Sequence, residues 1–134
     1  MPNTLGDTTG GHLSRTVEAG EDITAGDAVA LDQTASDDRF PTVVQLDSGA
    51  TDNDQEAGVA HEDISSGERG SVVLRGPVIA NVAGGVSQGE RLGASATVGQ
   101  FASEDGANAL ALSNEGGEDS TGTSLSGNEA EVLL

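Results

Sequence analysis

The chain has 134 residues, with 23 acids against five bases and a formal net charge of −18 at neutral pH. All five bases are arginines (Arg15, Arg39, Arg69, Arg75, Arg91), and lysine, cysteine, tryptophan and tyrosine are absent. This composition excludes disulfides and thiolate metal sites, and it provides no basic stripe for free nucleic acid or an anionic membrane surface.

The length fits one domain with an arm. With 34% hydrophobic residues and two phenylalanines, Phe40 and Phe101, the core has to be built from Val, Leu, Ile and Ala. A small aliphatic core gains from oligomerisation. An acidic, lysine-free chain is also the composition expected of adaptation to high salt, where screening removes carboxylate repulsion. No apolar run approaches the length that crosses a bilayer. The first residues have neither a basic nor an apolar signal region, so use without Sec-type export is expected.

In chain order, residues 1–14 carry Pro, Asn, Thr and a Gly-Gly pair around Leu5 and Leu13, and read as an extended N-terminal arm. Residues 15–134 read as one β-domain. Arg15–Ala19 is a short strand, and Ala28–Leu31 a second one behind a Gly26-Asp27 turn. Gln33–Arg39 is a polar loop. Phe40–Leu46 is β-type, with Pro41 marking a strand start or an edge. Asp47–Glu56 is a charged loop in which Asp52, Asn53 and Asp54 could supply oxygen ligands, though without EF-hand spacing. Gly58–Val82 reads as strand, turn, strand, broken at Arg75-Gly76-Pro77. Gly84–Gly93 is glycine-dense but lacks the terminal residues of a phosphate loop. Weak β continues to Ala102, with at most one short helix near Ala102–Ala109. Asn108–Leu112 is a short apolar run, Ser113–Gly127 a polar loop, and Glu131–Leu134 an apolar end expected to close a sheet.

One pattern recurs. Ile23-Thr-Ala-Gly-Asp, Ile64-Ser-Ser-Gly-Glu and Val86-Ser-Gln-Gly-Glu each precede an apolar stretch, a turn feeding a strand used three times. Short strands at short intervals predict an all-β fold, a small antiparallel barrel or sandwich.

No catalytic constellation emerges. His12 and His61 are distant in sequence, no metal pair is expected of them, and no nucleophile elbow surrounds any serine. The acid pairs Glu21-Asp22, Asp37-Asp38, Glu62-Asp63 and Glu104-Asp105 lie in hydrophilic turns and read as solvated surface. No catalytic residue, metal or cofactor is assigned.

The order of Ala25–Leu31, Gly58–Ala60 and Val72–Val78, closed by Ala109–Leu112 and Glu131–Leu134, resembles the capsid decoration (cement) proteins of tailed viruses, the lambda-like head decoration family. The resemblance implies a β-tulip-like barrel with an N-terminal arm, bound as a homo-oligomer, typically a trimer, to the major capsid protein on the outer surface of the virion. It implies neither a nucleic-acid nor a membrane partner. It puts capsid binding on the arm, at Thr4, Leu5, His12, Leu13 and Arg15. The acidity would make this the version of a haloarchaeal virus. The alternatives are a secreted or surface β-domain that binds a ligand, for which aromatic platforms are missing, an acidic cation-binding protein, and an enzyme working through carboxylates.

Overall fold

The computed structural model describes residues 12–32, 40–49 and 56–134. They form ten strands: β1 (Leu13–Ala19), β2 (Ala28–Leu31), β3 (Thr42–Gln45), β4 (Gly58–Ala60), β5 (Arg69–Arg75), β6 (Pro77–Asn81), β7 (Arg91–Ala94), β8 (Phe101–Ser103), β9 (Ala109–Ala111) and β10 (Glu129–Leu133). The polar loop at Gln33–Arg39 and the Asp52, Asn53 and Asp54 cluster lie outside the described residues.

Turn chemistry sets the strand starts. In Thr24–Asp27, Ser65–Glu68 and Ser87–Glu90 the fourth N–H donates to the first carbonyl, at 3.0, 2.9 and 3.1 Å. Each turn puts its third residue, Gly26, Gly67 or Gly89, at positive φ (89°, 81° and 91°), a conformation that carries little cost only without a Cβ. These three turns deliver the chain into β2, β5 and β7, as the recurring pattern predicts.

The first two turns also bond to each other. Ile23 and Ile64 exchange both backbone hydrogen bonds at 2.8 Å. Gly26 N–H donates to Ala60 O at 2.9 Å, and Gly67 N–H to Ala19 O at 2.7 Å. Even the side-chain bonds are reciprocal: Ala25 N–H donates to Asp63 and Ser66 N–H to Asp22, each at 2.9 Å. Ala19–Asp27 and Ala60–Glu68 are therefore two copies of one unit, related by an approximate twofold between the isoleucines.

Five strands close a barrel in the order β1-β3-β2-β4-β5, and the rest form a sheet in the order β6-β10-β9-β7-β8. Most pairing is antiparallel as expected, but β1 and β3 run parallel, through Glu18↔Thr42 and Ala19↔Val43. Pro41 marks the beginning of β3, which lies between β1 and β2 and not at an edge. Strand alternation splits the apolar residues into two cores. One set, including Val17, Ile23, Val29, Val43, Ile64 and Val72, clusters together. The alternating set, including Ala28, Val59 and Val73, packs against Val78, Leu92 and Phe101 of the second sheet. Phe101 heads the largest fully buried side chains, so one aromatic anchors the junction.

There is no helix among the described residues, so the short one allowed near Ala102–Ala109 does not form. Phe101 and Ala109 are both buried in the second sheet. Between their strands Gly106 turns the chain at φ 79°, a left-handed step that a helix does not take. The apolar C-terminus closes the sheet as expected, with β10 between β6 and β9. The preceding polar loop is anchored by Glu131, which is buried. Its Oε2 accepts from Ser120 Oγ at 2.9 Å, and its N–H donates to Ser113 Oγ at 2.9 Å.

The carboxylates are not merely solvated surface. Beyond Asp22 and Asp63, Glu21 accepts from Gln45 N–H at 3.0 Å and Glu62 from Ser71 N–H at 3.1 Å. Glu90 reaches back to Ser87 N–H at 2.7 Å, and Glu129 to Ser126 N–H at 2.7 Å. In a fold made of turns and short strands, acids satisfy the backbone donors that the strand ladders leave over.

Candidate interaction surface

Of the residues assigned to partner binding, Thr4 and Leu5 lie outside the described residues. Leu13 and Arg15 belong to β1, and His12 immediately precedes it. The fold brings His12 against His61, with the rings stacked at a centroid distance of 6.3 Å and an angle of 19°. No group of three or more metal-ligating side chains occurs among the described residues.

Among the described residues, strand β1 is held from both sides only at its end. It pairs with β5 from Leu13↔Arg75 to Glu18↔Arg69, and with β3 only at Glu18 and Ala19. The first four residues, Leu13–Thr16, are all exposed, with Leu13 at 58%. Beside them a groove of about 610 Å³ opens between the barrel and the second sheet, lined by Leu13, Glu56, Leu74, Arg75, Asn108 and Leu134 among others. The C-terminal backbone fixes one wall, since Leu134 N–H donates to Gly76 O at 3.1 Å.

Three of the five arginines lie on the β1–β5 ribbon: Arg15, Arg69 and Arg75. The Arg69 guanidinium sits 4.0 Å over the Phe40 ring, a cation–π contact that occupies it. Arg15 and Arg75 are exposed. Sequence reasoning named Leu13 and Arg15 as residues of the arm; the strand register and the groove add Leu74, Arg75 and Leu134 beside Leu13. The available signal was the placement of Arg75 after an apolar strand run and before Gly76.

A general acid needs a carboxyl whose pKa is raised. Glu90 departs the other way: hydrogen bonds from the Ser103 side chain and the Ser87 backbone hold it below its usual value. A carboxyl with a lowered folded pKa contributes stability above its unfolded value and loses it as pH falls through the folded one. Glu90→Gln is therefore expected to lower the melting temperature slightly at neutral pH and to converge on the parent in acid. Melting curves across the carboxylate range, down to about pH 3, check this. A constant gap at all pH values would refute it.

No curated protein matches the chain. Two solved structures share its fold. One is the N base of head fiber gp8.5 in bacteriophage phi29, with TM-score 0.61 and 14% identity over 91% of this chain and 92% of that one. The other comes from the capsid of Myoviridae phage XM1, with TM-score 0.66 and 16% identity over 98% of this chain and 89% of that one. At these identities the likeness is one of fold. The family model described as phage cement protein matches residues 7–125. With most of its length matched, this chain belongs to the phage cement protein family.

Proposed function

We propose that the chain is a capsid decoration protein of the virion, a mechanical and not a catalytic component, which binds the major capsid protein on the outside of an icosahedral shell and clamps neighbouring capsomers together. The family match over residues 7–125 carries this reading. In it, residues 1–14 are a capsid-binding arm in which Thr4, Leu5, His12 and Leu13 make contact, Arg15 follows at the start of the 15–134 barrel domain, and three copies assemble around a local threefold. The one-sided start of β1 supports the arm, because strand addition gives main-chain hydrogen bonds without aromatic side chains. The aliphatic core supports assembly, since a small domain gains stability from its neighbours. The net charge of −18 without lysine supports a halophilic setting, with a haloarchaeal virus as its source.

Light scattering after size exclusion, combined with binding to undecorated shells, tests this. In about 2–3 M salt, where screening acts over about 3 Å or less, a trimer that saturates the shells is expected. In about 0.1 M salt the trimer should dissociate or unfold, because the carboxylates repel over roughly 10 Å. A monomer indifferent to salt would overturn the trimer and salt readings. Failure to bind shells in either condition would overturn the decoration role.

A further inference from the structure

We infer that the β1–β5 ribbon, with the groove beside it, is the docking site for an extended, carboxylate-bearing segment of the shell protein. The inference rests on the decoration reading and names the chemistry of the partner.

Charge is the first observation. The two strands of the ribbon hold three of the five arginines and a single acid, Glu18, in a chain that carries 23 acids. Arg69 is engaged with Phe40. Arg15 and Arg75 stay exposed, with no ion pair among the described residues. A guanidinium presents a planar fork that matches a carboxylate. Arg75 presents such a fork at the groove itself, and in so acidic a chain it selects an acidic partner.

The second observation is shape. Leu13 stands directly across from Arg75 in the β1–β5 register, and both line the groove with Leu74 and Leu134. An apolar side chain lodged there would cover Leu13, the most exposed large hydrophobic among the described residues, while a neighbouring carboxylate met Arg75. Glu56 on the groove wall repels a carboxylate there and directs it toward Arg75. The third observation is the backbone. Among the described residues Ser14 and Thr16 are paired with β5 alone, and the side of β1 away from β5 suits an extended segment better than a helix. A second copy of this chain fits less well, because each copy brings a net charge of −18.

The test is binding of the full chain to undecorated shells of its virus, for the parent, Arg75→Gln, Leu13→Ser and two controls. Gln88→Glu, at an exposed turn, changes net charge by the same amount as Arg75→Gln. Val98→Ser removes another exposed apolar side chain. Arg75→Gln and Leu13→Ser should each weaken binding at least tenfold, with Arg75→Gln also flattening its salt dependence, and the controls should stay within twofold. Both substituted positions are exposed, so circular dichroism should match the parent. If Arg75→Gln misfolds, Leu13→Ser still decides. Parent-like binding by the folded variants would overturn the inference, as would equal losses in the controls. A change of mass in solution without shells would assign the ribbon to contacts between copies and would also overturn it. A parent chain that binds no shells would be a failure of the decoration reading itself.

Discussion

Asp27→Ala is expected to destabilise the fold by about 3–5 kcal/mol, because each buried donor left without a partner costs on the order of 1–3 kcal/mol. Asp27 is buried at the exit of the first turn. Its Oδ2 accepts from Thr24 N–H at 2.9 Å and from Gln45 Nε2 at 3.0 Å, and its Oδ1 from Asn81 Nδ2 at 3.0 Å. One carboxylate thus ties the turn, barrel strand β3 and second-sheet strand β6 together. Gly99 closes over it so tightly that a Cβ there would lie 3.0 Å from Oδ1. Asp27→Asn should cost about half as much. An amide oxygen still serves Thr24 and Gln45, and Asn81 can turn its own amide over to accept from the new NH₂ group. Urea unfolding of the three proteins in high salt measures both differences. With domain stability of roughly 5–15 kcal/mol, Asp27→Ala should shift the midpoint far more than any surface change. A loss below about 1 kcal/mol, the net worth of a single ordinary hydrogen bond, would show that the hub does not join the two sheets energetically.

Asp27 also marks where the sequence stops being readable. The turn itself was legible, because a Ser or Thr, one residue, a glycine and an acid recur at Thr24–Asp27, Ser65–Glu68 and Ser87–Glu90, and glycine at the third position has a steric reason. The strands after these turns were legible for the same reason, aided by β-branched runs such as Val72-Val73. The partners of the turns were not. Nothing in Ala19–Asp27 says that it bonds Ala60–Glu68, since the reciprocal hydrogen bonds depend on backbone groups that every residue has. Strand order was hidden likewise. Strands of three or four residues carry too little pattern to choose a neighbour, and the parallel β1–β3 pair rests on two register positions. The acids were misread for a different reason. With 23 of them in the chain, abundance masks the subset that caps backbone donors. Glu131 is the extreme case: an acid at the head of the apolar C-terminal run that is 2% exposed. At the interaction surface, Leu13 and Arg15 stood out as isolated features of the arm. Arg75, Leu74 and Leu134 join Leu13 only because the β1–β5 register and the C-terminal wall bring them to one groove.

The second large effect is expected at Gly58, where alanine should cost roughly 3 kcal/mol or more, at or beyond the upper end for overpacking a filled interior. Gly58 opens β4, pairs with Val29 of β2 and lies against β5. A Cβ there would overlap the Val73 carbonyl oxygen and stand 2.6 Å from Val72 Cγ1. Neither can give way. The carbonyl belongs to a barrel strand held on both sides, and Val72 and Val73 are both fully buried. Gly93→Ala is the informative contrast. A Cβ on Gly93 would also overlap an atom, Glu104 Oε2, but that atom is the free end of an exposed side chain, which can swing into water. Removing a strand glycine recovers roughly 0.5–1 kcal/mol of backbone entropy, so Gly93→Ala should come out near neutral. Denaturant midpoints for the two variants separate the cases, since the contacts look equally severe on distance alone. If both variants lose stability alike, the rigidity of the β4–β5 pair is not what decides. If only Gly58→Ala fails, the barrel wall behind the groove is a packed backbone contact, and the groove keeps its shape because that wall cannot relax.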